Sequence, residues 1–340
     1  MKNFNLLRFC AILSVTFSTA CTKAELNHDG APLNGQNSSL VSHVKSGTLH
    51  NGNIPTSSWM QLLDDGKTIC NLALPSAHDA GASKSGGFMY LTQNSSLKEQ
   101  LESGVRGFDI RLRAYANKEL AIYHGTANQY TDFKRDVLDM MTEYLDTHPT
   151  EFILLHVKRE GNPTSGSKDY NELMNEIIKS HPQQSRFTTI YSPYQTVGSL
   201  RGKLAILFRD NVPGLDNFSY FQLWSDNASF RSFLYSKQGS VSAQVEDEYK
   251  VKGVSDSSKW KAIYNHLSAS RASNGTSLYV TFLSGTGVFF PPKRVAGNMN
   301  RLAVEDLRKN SVPVKGLFFM DFCGSDKGKE LTMELIKQNL

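Results

Sequence analysis

Apolar positions along this chain follow two rhythms that take turns. Short runs that are apolar throughout, or alternate with period two, read as strands at 68–74, 106–113, 120–123, 151–158, 201–210, 277–284 and 314–321. Between them, apolar residues three and four apart read as helices at 130–148, 170–178, 257–271, 295–309 and 327–339, with a further helix start in 94–103. In 130–148 the stripe is Phe133, Val137, Met140, Met141, Tyr144 and Leu145, and Pro149 ends it. Strands buried on both faces need cover on both, and strands that alternate with helices along most of the chain supply it. The pattern therefore predicts a single α/β domain whose parallel strands close into a barrel surrounded by helices. A doubly wound open sheet is the alternative, but no strand is followed by a G-x-G-x-x-G or P-loop turn. There is no internal repeat. Residues 211–242 carry the aromatics Phe218, Tyr220, Phe221 and Trp224 without a period and stay unassigned.

The N-terminal residues break this rhythm. Lys2 and Arg8 precede an apolar segment at 9–17, which runs into Ser18-Thr19-Ala20 and Cys21. This is the layout of a secretory signal, too short to span a bilayer. A cysteine directly after small residues is the arrangement of a bacterial lipoprotein signal, with Ser18 where leucine is usual, so Cys21 is a lipidation candidate; an ordinary cleaved signal is the alternative. Residues 1–20 are thus read as signal, 21–58, rich in Asn, Ser, Gly and His, as a flexible tether, and 59–340 as the folded domain. The protein is expected to be exported, either lipid-anchored at the cell envelope or secreted. Its formal charge of +5 is spread without a long basic run, which argues against a nucleic-acid partner. Once the signal is removed, Cys21, Cys70 and Cys323 remain; Cys70 lies early in its strand and Cys323 past the end of a parallel one, so no disulfide is expected.

Candidate chemistry collects near the C-terminal ends of the predicted strands, where parallel barrels place their sites. Leu72-Ala73-Leu74 runs into Pro75-Ser76-Ala77-His78-Asp79-Ala80-Gly81, and 120–123 ends at His124. In 105–111 alternation puts Asp109 and Arg111 on one face, while Lys158, Arg209 and Asp321 end three other strands. Acid–base cleavage at an anionic centre needs a base, an acid and fixed positive charge. Two histidines and an arginine supply all three. Histidine suits both proton roles because its pKa lies near neutrality, and a carboxylate partner fixes its tautomer. Each residue alone also has a plain structural reading: histidines ending strands, Asp79 capping a turn, Lys158 and Arg209 as solvent charges, Tyr249 as an exposed aromatic. Convergence on strand ends is what favours a site.

In their order and spacing, segments 75–81 and 106–111, His124, Lys158, Arg209, the Asp247-Glu248-Tyr249-Lys250 run and Asp321 resemble the bacterial phosphatidylinositol-specific phospholipases C, over a stretch from about Trp59 to the C-terminal helix. Two departures stand out: Ser76-Ala77 replaces the family's usual Gly-Thr or Gly-Ser, and 211–242 matches no part of the pattern. The resemblance implies an irregular TIM-like barrel, without cofactor, that cleaves phosphatidylinositol, free or glycosylated, to diacylglycerol and inositol 1,2-cyclic phosphate. It implies His78 as general base partnered by Asp321, His124 as general acid supported by Asp79, and Arg111 on the phosphate with Asp109 beside it. Lys158, Arg209 and Asp247 would bond the inositol hydroxyls and Tyr249 would stack on the ring. No metal is expected, because Arg111 supplies the charge a calcium ion would bring.

Phe88, Met89 and Tyr90 after Gly86-Gly87, and Phe289-Phe290 before Pro291-Pro292, are candidates to dip into the bilayer interface of a chain acting as a monomer; packing beneath the loops is the alternative. Two other functions stay open. One is a metal-dependent glycerophosphodiesterase on the same barrel, which would want an acidic cluster and a His-Arg-Gly turn where this chain has His78-Asp79-Ala80. The other is a surface protein that binds inositol or glycan without turnover.

Overall fold

The computed structural model describes residues 53–115 and 119–340. The readings of 1–20 as signal, of Cys21 and of most of the tether lie outside the described residues. The strands are β1 (Ala73–Ala77), β2 (Gly107–Tyr115), β3 (Glu119–His124), β4 (Ala127–Asp132), β5 (Ile153–Arg159), β6 (Phe187–Thr188), β7 (Leu204–Phe208), β8 (Ser219–Phe221), β9 (Ala228–Ser236), β10 (Gly239–Asp247), β11 (Ser277–Phe282) and β12 (Gly316–Met320). The helices are α1 (Leu97–Glu102), α2 (Met140–Thr147), α3 (Tyr170–Ser180), α4 (Val197–Leu200), α5 (Ser257–Ala272), α6 (Pro292–Lys309) and α7 (Asp326–Lys337).

Nine strands close a barrel in the order β1, β12, β11, β10, β9, β8, β7, β5, β2, with β1 paired to both β12 and β2. All neighbours in the ring are parallel except β9, which runs against β8 and β10. The barrel is therefore TIM-like but irregular. Closure depends on a close approach at Ser76, which sits beside Gly107 in the register. A Cβ on Gly107 would come within 2.1 Å of Ser76 Oγ, so glycine here makes room for the serine, whose hydroxyl donates to the Leu74 carbonyl.

Strand periodicity fixes what the barrel encloses. One buried cluster gathers Leu74, Leu154, Leu207, Val245, Val280 and Phe319 inside, with Trp59 and Met60 among its members. The other gathers Ile153, Leu155, Phe318 and Met320 with residues of the surrounding helices such as Met174, Ile263 and Leu331. Phe282 and Phe319 stack inside at 4.8 Å, each worth about 2–3 kcal/mol in burial. Along β5, β7 and β10 the inward set changes from apolar to polar toward or just past the C-terminal end: Leu154, then His156 and Lys158; Leu207, then Arg209; Val245, then Asp247.

The structure corrects several expectations. Residues 68–74 are not one strand: Ile69–Asn71 is a 3-10 turn, and β1 starts at Ala73 and runs through Pro75. Proline is tolerated there because β1 meets β2 only from Ser76 onward, so no ladder bond to its nitrogen is lost. The stretch 130–148 is β4, then a π-helical segment at Phe133–Asp139, then α2. The unassigned 211–242 contains β8, β9 and the start of β10, and it completes the barrel wall. β3 lies outside the ring, antiparallel to β2, so His124 ends a strand of the opposite sense and the hairpin folds it back. Cys70 and Cys323 are free and buried, and burial pushes the Cys70 thiol up to about 12.

Candidate active site

Two tight turns bring the first pair of groups together. The N–H of His78, just past β1, donates to the Met320 carbonyl on β12, and Asp321 follows Met320 directly. Asp79 and Phe322, the residues after each, have left-handed backbones with φ of 42° and 54°, a cost that local bonds offset. Gln93 ties both turns: its Nε2 donates to the carbonyls of His78 and Met320, and its Oε1 accepts from the Cys323 N–H. Thr92 Oγ1 donates to the Asp79 carbonyl and Asn300 Nδ2 to that of Asp321.

His78 Nδ1 lies 2.6 Å from Asp321 Oδ1, and its Nε2 lies 2.6 Å from Arg111 Nη2. A guanidinium only donates, so Nε2 is the acceptor and Nδ1 carries the proton given to Asp321. Burial opposes charge on this ring, but Asp321, aided by Asp109, overcomes that and the repulsion of Arg111, and the His78 pKa is raised.

Arg111 fills the space between two buried carboxylates. Its Nε donates to Asp109 Oδ2 at 3.1 Å, and its Nη1 is 3.2 Å from Asp79 Oδ2, an ion pair by distance though not a hydrogen bond by geometry. Burial opposes charge on both acids. For Asp109, the neighbouring Arg111 and a hydrogen bond from His156 prevail and hold it well below the usual carboxylate range; for Asp79, burial prevails and the pKa rises. On the other side of Asp79 stands His124, its Nε2 3.5 Å from Oδ2 and its Nδ1 donating to the Tyr90 carbonyl at 2.7 Å. The cluster thus offers two imidazoles and a fixed guanidinium, the means for proton transfer at an anionic centre.

A polar wall continues the site. Lys158 Nζ meets Glu160 Oε2 at 2.9 Å, and Arg209 Nη2 lies 3.5 Å from Asp247 Oδ2. The Arg209 guanidinium also lies 4.0 Å over Trp224, whose Nε1 donates to Asp247, and the Tyr249 hydroxyl donates to Asp226. Eight of the ten residues singled out from the sequence line one cavity of about 220 Å³; the other two, Asp79 and Asp109, are buried beneath it. A larger groove of about 400 Å³ beside α3, lined by Phe187, Leu215 and Phe218, brings no histidine or arginine together. Among the described residues, no group of three or more His, Cys, Asp or Glu side chains is placed to hold a metal ion.

Sequence reasoning missed Glu160, although period two places it on the face of Lys158. It also missed Trp224 and Asp226 in the unassigned stretch, and the Tyr90 carbonyl, for which no sequence signal exists. Of the rim aromatics, Phe88 and Phe289 are 70% and 80% exposed, joined by Val288, while Tyr90 sets its ring edge against His124. Phe290 takes the alternative, packing beneath its loop: a tight turn with Gly287 directs it back onto the core, where it is half-buried.

A closed barrel with this cluster at the ends of its strands sets two imidazoles and a guanidinium around one cavity. Comparison with known proteins narrows the class. Residues 84–209, which include Arg111, His124, Lys158 and Arg209, match the family model "Phosphatidylinositol-specific phospholipase C, X domain". A 1-phosphatidylinositol phosphodiesterase of Staphylococcus aureus (strain Newman) is 30% identical over 283 residues, covering 78% of this chain and 88% of that protein. One from Listeria monocytogenes is 28% identical over 315 residues, covering 87% and 90%. A solved phosphatidylinositol-specific phospholipase C from Staphylococcus aureus superposes with a TM-score of 0.75 at 27% identity, covering 84% of this chain and 98% of that one. The chain belongs to the bacterial phosphatidylinositol-specific phospholipase C family, and it is an enzyme of the phosphodiesterase class.

Proposed function

We propose that this chain cleaves phosphatidylinositol, free or glycosylated, to diacylglycerol and inositol 1,2-cyclic phosphate without a metal. The observation that carries the reading is the placement of Arg111 between Asp79 and Asp109 with His78 on one prong and His124 across Asp79. His78 Nε2, unprotonated in the tautomer its partners favour, takes the proton of the inositol 2-hydroxyl. That oxygen attacks phosphorus, and the bond from phosphorus to the diacylglycerol oxygen breaks as His124 Nε2 delivers a proton to it. Arg111 stabilises the charge on the phosphoryl oxygens, and Asp321 stabilises the imidazolium formed on His78. Water can then open the cyclic product, with the two histidines exchanging roles. Lys158, Arg209 and Asp247 hold ring hydroxyls, and Tyr249 packs on the ring.

Exposed Phe88, Val288 and Phe289 at the edge of this site support contact with the lipid surface, with Tyr90 between surface and catalytic group. A structure of the Staphylococcus aureus relative concerns modulation of its membrane binding, which supports membrane contact in general and no particular residue. Among the described residues no helix is long and apolar enough to cross a membrane. The N-terminal pattern supports export, with Cys21 as the candidate lipid anchor, and every residue given a role comes from one chain, as a monomeric enzyme requires.

His78→Ala and His124→Ala test the reading. Each should lower turnover on phosphatidylinositol by about 10²–10⁴-fold with the circular dichroism spectrum unchanged. Either variant retaining most wild-type activity removes that histidine from the mechanism.

A further inference from the structure

The β2–β5 register sets Asp109 beside His156 and, one rung further along the same face, Arg111 beside Lys158. His156 Nδ1 lies 3.0 Å from Asp109 Oδ1, and both side chains are 1% exposed. The Asp109 oxygens are thus divided: Oδ1 is met by His156, and Oδ2 accepts from Arg111 Nε and the Asp79 N–H. A carboxylate bonded at one oxygen can still swing about its axis; bonded at both, its plane is set. We infer that His156 is a positioning residue for the reaction, holding the Asp109 carboxylate in the orientation that aims the Arg111 guanidinium at the phosphate. This rests on the proposed role of Arg111.

The surroundings of His156 fit that task. Trp224 stacks on the ring at 5.2 Å, with Phe221 and Phe319 each at 5.7 Å. The Nε2 atom is sealed in without a partner, a cost that a leucine in this apolar cage would avoid. Charged neighbours are Arg111 on β2, Arg209 just past β7 and Asp109 itself, with His78 and Asp79 beyond Asp109. Burial and the two arginines outweigh the pull of Asp109 and lower the ring's pKa. His156 therefore bonds Asp109 as a neutral donor, leaving the carboxylate's charge to Arg111.

The test uses phosphatidylinositol turnover by the full chain. His156→Leu removes the donor at similar volume, while His156→Asn places an amide N–H near the position of Nδ1. Expected are a 10–100-fold fall in kcat for the leucine variant with KM little changed, and an asparagine variant within threefold of wild type. In an Asp109→Asn background, His156→Leu should cost no more than a further twofold, because its effect runs through that carboxylate. If the leucine variant does not fold, His156→Phe, which suits the aromatic cage, takes its place. Wild-type kcat in the donor-free variant, equal loss in the asparagine variant, or an undiminished loss in the Asp109→Asn background each overturns the inference. Arg111→Lys assayed alongside separates the two claims: full activity there sinks the role of Arg111 itself.

Discussion

Replacing Arg111 by lysine keeps one positive charge and removes the fork. In the structure that fork reaches Asp109 through Nε, Asp79 through Nη1 and His78 through Nη2. A single ammonium can stay with the two carboxylates, but it cannot also present two parallel N–H groups to a phosphate. Each charge-assisted hydrogen bond lost from the transition state is worth about 1.5–3 kcal/mol, so losing two costs about 3–6 kcal/mol. At about 1.4 kcal/mol per decade of rate, kcat should fall about 10²–10⁴-fold. Initial rates on phosphatidylinositol in mixed micelles, with near-ultraviolet circular dichroism as the control for folding, measure this. A folded Arg111→Lys enzyme within threefold of wild type would refute the reasoning, because a point charge would then be sufficient.

The raised pKa of His78 predicts that the acid limb of kcat/KM lies above the ordinary histidine value of 6.5, since a base must be neutral to act. Asp321→Asn removes the anion that favours the imidazolium, so the limb should move to lower pH; a limb that stays in place or rises contradicts the pairing. By linkage, the same pair stabilises the fold most fully below the unfolded histidine pKa and loses that contribution as pH climbs through the folded one, a trend that Asp321→Asn should flatten in thermal unfolding. Phe88→Ser with Phe289→Ser should weaken sedimentation with phosphatidylinositol vesicles while leaving the Tm unchanged, and unchanged vesicle binding would return these aromatics to ordinary surface.

Much of this fold and site was readable because parallel strands and site residues obey the same parity. Asp109 and Arg111, or Lys158 and Glu160, are two apart, and two residues along a strand is one face. The unread parts follow from physics that parity does not carry. In β9 the buried residues are Ser232, Leu234 and Ser236 while Phe233 and Tyr235 face outward, which inverts the usual sense of the pattern and hid a barrel strand along with Trp224 and Asp226. Pro75 read as a stop because its partner strand was unknown, and only the late start of the β1–β2 pairing explains its place within β1. Phe290 and the Tyr90 carbonyl depend on the path of loops, where no period operates.

The most direct test of the central claim is phosphorus NMR of the purified protein with phosphatidylinositol in excess EDTA. The lipid phosphodiester signal should be replaced first by that of inositol 1,2-cyclic phosphate and only later by the monoester, at a rate EDTA does not change. No turnover in EDTA with activity restored by calcium, or a monoester that accumulates without a preceding cyclic signal, would contradict the claim.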